Sequence, residues 1–121
     1  MKKISLYAAI TATTALAACE SMKDPVIQRD TVRNEQGVYT YGELKESYDG
    51  SRYRNFWAQN NNSFPVCVGL TLGENSTTSG HQFKGTHYLA PGEKTGVGYV
   101  YAPADYTVDH NSWTPDASGN C

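Results

Sequence analysis

Pro65-Val66-Cys67-Val68-Gly69-Leu70-Thr71-Leu72 places an apolar residue at every second position. Val66, Val68, Leu70 and Leu72 line one face, and Cys67, Gly69 and Thr71 take the other. A period of two marks a half-buried β-strand, because successive side chains on a strand point to opposite faces. Upstream, Asn60-Asn61-Asn62-Ser63 reads as a loop. Before it, Arg52 to Ala58 also splits into two faces, with Tyr53, Asn55 and Trp57 opposed to Arg52, Arg54, Phe56 and Ala58. Val38-Tyr39-Thr40-Tyr41 is β-branched and aromatic and suits a further strand. Between the two, Gly42 to Asp49 is expected to form a short helical turn, with Leu44 and Tyr48 four apart, before Gly50 stops it.

Downstream of Leu72, Gly73 to Gly80 (GENSTTSG) is polar and turn-rich, and a strand is expected around Gln82 to Leu89. Ala90-Pro91-Gly92-Glu93 is a strong turn signal. After it Val97, Tyr99 and Tyr101 alternate with Gly96, Gly98 and Val100. Tyr106 and Val108 suggest a last short strand, followed by Trp113 and a loose end at Cys121. Short strands with turn signals about every 8–12 residues are the sequence pattern of a small antiparallel sandwich or barrel. With no helix long enough for a βαβ crossover, a parallel sheet is not expected. The expectation is therefore an all-β fold with six or seven strands. Leu89-Ala90-Pro91-Gly92-Glu93 resembles the turn before a core strand in immunoglobulin-like sandwiches, which implies the sandwich form.

The chain opens Met1-Lys2-Lys3 and runs uncharged from Ile4 to Ala18. Positive residues, a short apolar run and then small residues form the layout of a secretory signal peptide. The run is rich in Ala and Thr and falls short of the roughly 20 apolar residues that a membrane-spanning helix requires. Leu16-Ala17-Ala18-Cys19 resembles the lipobox of bacterial lipoproteins, a likeness confined to residues 1–19. It implies cleavage before Cys19, a diacylglycerol on the Cys19 thiol, and acylation of the new amino terminus by a fatty acid such as palmitate. Glu20, where an Asp tends to retain diderm lipoproteins in the inner membrane, favours the outer membrane. The competing possibility is an ordinary secreted protein with Cys19 as a free or paired thiol.

Removing residues 1–18 leaves enough chain for one domain. Lys2 and Lys3 leave with the leader, so eight basic residues face twelve acidic ones, a formal charge of −4. That balance argues against a nucleic-acid partner and against electrostatic attachment to anionic lipid, both of which call for a basic patch. Lipidation of Cys19 leaves Cys67 and Cys121 as an even pair, expected to form a disulfide in an oxidising exported compartment. Closing a loop of that length stabilises a fold by about 4 kcal/mol. Residues 20–37 mix both charges without an apolar period, and segment 19–37 is expected to be a flexible tether to a single domain over 38–121.

No motif assigns catalysis. His81 and His87 would share a face of an unbroken strand, yet lie about 20 Å apart along it. Asp109 and His110 are adjacent, so a strand would point them to opposite faces, and no serine lies in a G-x-S-x-G elbow. No metal or cofactor set emerges. Aromatics are the richer signal, because the mature chain keeps eight Tyr, two Trp and three Phe. Beyond those that pack the core, Tyr39, Tyr41, Tyr99 and Tyr101, with Arg52 and Arg54, are candidates for an exposed platform for a glycan or protein partner. The expectation is a lipid-anchored, non-enzymatic binding or structural protein of the cell envelope. One alternative is a small hydrolase or metal-dependent enzyme using His81, His87, Asp109 and His110, which requires those side chains to converge. Another is a lysozyme inhibitor, since Ser79-Gly80 and Asn120-Cys121 resemble residues of short lipoproteins of that kind.

Overall fold

The computed structural model describes residues 24–83 and 85–121. The leader, Cys19 and Glu20 lie outside the described residues. Eight strands follow one another: β1 (Val26–Glu35), β2 (Val38–Glu46), β3 (Arg52–Asn60), β4 (Val66–Leu72), β5 (Thr77–Phe83), β6 (Thr86–Leu89), β7 (Lys94–Asp105) and β8 (Val108–Trp113). They form two antiparallel sheets, one of five strands in the order β1-β2-β3-β7-β5 and one of three in the order β6-β4-β8. The sheets remain separate, so the fold is a sandwich and not a barrel. From β3 onward the chain alternates between the sheets, each new strand joining the opposite layer.

The alternation around Val66 becomes the core. Val66, Val68, Leu70 and Leu89 of the small sheet face Val38, Phe56, Ala58, Val97 and Val100 of the large one. Burying a side chain of this kind stabilises a fold by about 1.5–3 kcal/mol. Cys67 lies on the other face of β4 and is nonetheless fully buried. It is bonded to Cys121, with the two Cα atoms 5.7 Å apart, and this brings the carboxy-terminal tail to the small sheet.

Five expectations need correction. Residues 26–35, assigned to the tether, form β1, an edge strand paired with β2. A two-residue turn joins them, with Gln36 and Gly37 both at positive φ. A Cβ at Gly37 would collide with Asn62 Oδ1, so glycine is required there twice over. Gly42 to Glu46 continues β2 instead of starting a helical turn, because every residue from Val38 to Glu46 finds a partner on β3. The turn-rich stretch before Gly80 is shorter than expected, since β5 begins at Thr77. The strand expected over Gln82–Leu89 is broken into the end of β5 and β6, which belong to different sheets. Finally, a bulge in β7 opposes Phe56 to Gly98 and Trp57 to Gly96. Val97 turns inward to the core while Tyr99 and Tyr101 face out, so the simple alternation of 97, 99 and 101 fails.

Candidate functional site

The face of the large sheet that points away from the small one carries the candidate site. Directly paired residues share a face, so the register assigns it strand by strand. On β2 it holds Tyr39, Tyr41, Glu43 and Lys45, opposite Gln59, Trp57, Asn55 and Tyr53 of β3. On β7 it holds Lys94, Gly96, Tyr99 and Tyr101, opposite Gln59, Trp57, Asn55 and Tyr53 in turn. Aromatic rings thus gather on three adjacent strands. Tyr39 and Tyr41 stack with centroids 4.7 Å apart. Tyr101 meets Tyr53 at 5.9 Å and Tyr99 at 5.1 Å, in tilted and edge arrangements.

Cations lie over these rings. The Arg29 guanidinium sits 4.7 Å above the Tyr41 ring and bonds Glu43 Oε2 at 2.9 Å. That carboxylate raises the pKa of the guanidinium further above its ordinary value. The Lys94 ammonium stands 5.0 Å from the Trp57 ring and 6.0 Å from that of Tyr41. Tyr41 is consequently only 2% exposed, although it is on an outer face. Tyr101 remains 44% exposed.

Between Trp57 and Tyr99 lies a groove of about 290 Å³, bounded by Asn55, Gln82, Gly96 and Gly98. It exists because the outward position between Lys94 and Tyr99 is a glycine and the bulge lengthens the gap. The Tyr99 hydroxyl donates to Gln82 Oε1 at 3.2 Å. The indole N–H of Trp57 has no hydrogen-bond partner among the described residues. At the far end Tyr53 donates to the Asp24 carboxylate. Burial first, and this hydrogen bond second, push the Tyr53 phenol up to about 12.

The structure therefore gathers Tyr39, Tyr41, Tyr99 and Tyr101 of the six expected residues on one face, but Tyr41 is buried beneath Arg29 and Lys94 and is not part of an exposed platform. Arg52 and Arg54 are not among them. They sit on the other side of β3, where Arg54 pairs with Asp30 and Arg52 with Glu46. Sequence reasoning missed Arg29, Tyr53, Trp57 and Lys94. Alternation had placed Tyr53, Asn55 and Trp57 on one face, but nothing local reveals that β3 lies between β2 and β7.

The residues of the enzymatic alternative do not converge. His81 is on the large sheet, opposite Val100. His87 and His110 face the core from opposite sides of β4, at Val68 and Leu70, about two strand spacings or 10 Å apart. Asp109 pairs with Thr71 on the outer face, away from the His110 ring. His110 instead links the sheets, its Nδ1 2.9 Å from Thr40 Oγ1. Burial chiefly, with the Arg33 charge, lowers the His110 pKa from its ordinary value, while Glu35 opposes the shift. Among the described residues no three His, Cys, Asp or Glu side chains stand close enough to hold a metal ion. Ser79 and Gly80 lie on β5 of the large sheet, whereas Cys121 is tied to the small sheet, so the two pairs that suggested a lysozyme inhibitor sit on different layers.

Comparison with protein-family models, with curated proteins and with solved structures found no match. The class defined here is thus structural, a disulfide-linked antiparallel β-sandwich with an aromatic and cationic outer face.

Proposed function

We propose that this protein is a lipid-anchored component of the bacterial cell envelope, at the outer membrane, with a non-enzymatic binding role. The outer face of its five-stranded sheet is the surface that meets the partner. The observation that carries this reading is the gathering of Tyr39, Trp57, Tyr99 and Tyr101 on the sheet face turned away from the core. Tyr and Trp combine a large apolar body with a polar tip, which suits them to recognition. The leader and the Leu16-Ala17-Ala18-Cys19 lipobox support the anchor. Because β1 begins at Val26, the seven steps from Cys19 to Val26 reach at most about 25 Å. The domain is then held close to the bilayer, and its partner is a macromolecule near the membrane surface.

Two experiments test the two halves. Intact mass of the membrane-extracted protein should show a chain beginning at Cys19 with added acyl groups, and Cys19→Ala should move the protein to the soluble fraction. An unmodified Cys19 would overturn the anchor. For the binding face, a photo-crosslinking residue at Tyr101 or Gln59 in growing cells should give adducts that the same residue at Thr86 or Asn111 does not. Equal labelling from both faces would remove the assignment.

A further inference from the structure

We propose that the ligand of this face is an acidic sugar chain, with one hexose ring seated in the groove between Trp57 and Tyr99. The inference rests on the binding role given above and names its ligand class. A pyranose ring presents flat patches of C–H groups that stack on aromatic faces, and a rim of hydroxyls that both donate and accept. The groove answers both demands. Trp57 and Tyr99 supply the rings, and Asn55 and Gln82 supply amides carrying a donor and an acceptor each. A volume of about 290 Å³ is at the lower end of small-ligand sites, which run from roughly 300 Å³ upward. It suits one sugar ring of a longer chain.

Charge decides which sugar. Around the rings Arg29, Lys45 and Lys94 face two carboxylates, Glu43 and, at the far end, Asp24, which is taken by the Tyr53 hydroxyl, in a chain that is acidic overall. Glu43 is taken by Arg29, and among the described residues neither Lys45 nor Lys94 has a carboxylate within 4.0 Å. Lys94 is held only over the Trp57 and Tyr41 rings, beside the groove. A carboxylate on the sugar chain is the complementary partner. A protein ligand fits less well, since Lys is depleted at protein interfaces and here Lys45 and Lys94 flank the rings.

The test is calorimetric titration of the mature protein in neutral detergent. The probes are a tetrasaccharide of alternating N-acetylglucosamine and N-acetylmuramic acid, the neutral chitotetraose, and vesicles containing phosphatidylglycerol. The acidic tetrasaccharide should bind saturably, at least tenfold more tightly than chitotetraose. Tyr99→Ala should lose at least tenfold. Gly96→Ala places a methyl on the groove floor at ordinary contact distance from Trp57, 3.8 Å, and should weaken binding in a protein that unfolds as the parent does. Lys94→Gln should abolish the preference for the acidic sugar. Equal binding of both sugars would overturn the role of charge. Absence of sugar binding, with crosslinks from Tyr101 to a protein or with vesicle binding, would overturn the glycan while leaving the binding face intact. Absence of every interaction would remove both.

Discussion

Asn60 ends β3 fully buried, and its side chain does the work of several backbone bonds. Its Nδ2 donates to the carbonyls of Phe64, Leu89 and Ala90, and its Oδ1 accepts from the Asn62 N–H. One residue thus fixes the β3–β4 loop against the turn that leads into β7. Leaving a buried donor or acceptor unsatisfied costs about 1–3 kcal/mol, so Asn60→Ala should lower the urea-derived stability by at least about 2–3 kcal/mol. A loss within experimental error would contradict this role. His110 offers a second test. Its folded pKa lies below its unfolded value, so the unfolded state binds more protons across that window. Its contribution is complete above the ordinary imidazole value of about 6.5 and is lost as pH falls through the folded value. The thermal midpoint should fall between pH 7.5 and 5.5, and the fall should be shallower in His110→Gln. The same slope in both proteins would locate the pH dependence elsewhere. At this scale the sequence was partly silent. Asn60 stood in a run of polar residues that reads as a loop, and the Thr40 partner of His110 is seventy positions away.

At the scale of elements, the strands that show a clean period of two were legible and the irregular ones were not. β4 and β3 alternate because each has one face in the core and one face outside it. β1 has no such contrast. Of its residues Val32 alone packs against the core, and register shifts at Val26/Gln28 and Thr31/Arg33 break its period. It is held by charge as well as by its ladder, through Arg29 with Glu43 and Arg54 with Asp30. Both pairs are only partly exposed, and methionine retains most of the apolar stem of Arg54, while even surface ion pairs have a median worth of about 0–1 kcal/mol. Arg54→Met should therefore leave global stability nearly unchanged while raising hydrogen exchange selectively across β1. Exchange rising equally in β3 and β7 would show that β1 does not open as a separate unit. In β7 the bulge at Val97 hid the relation of Gly96 to Tyr99, and with it the groove. That feature depends on a neighbouring strand, so no reading of residues 94–101 alone reveals it.

For the molecule as a whole, the layers of the sandwich determine which residues meet. A chain that alternates between sheets from β3 onward brings β2, β3 and β7 side by side, and only then do Tyr39, Trp57 and Tyr99 share a surface. The class of fold and the pairing of Cys67 with Cys121 followed from pattern and count, since neither needs the strand order. The disulfide closes 54 residues of chain. Replacing both cysteines by alanine should cost about 2–5 kcal/mol, read as a lower urea midpoint, and an unchanged midpoint would show the link to be energetically idle. The outer face itself is tested most directly by oxidative footprinting of aromatic side chains in intact cells against the purified protein. Tyr48 and Tyr88 are exposed elsewhere and serve as internal references. Trp57, Tyr99 and Tyr101 should be protected in cells while Tyr48 and Tyr88 react as they do in solution. Equal reactivity of all five in the two settings, or protection at Tyr88 alone, would contradict the assignment of this face as the binding surface.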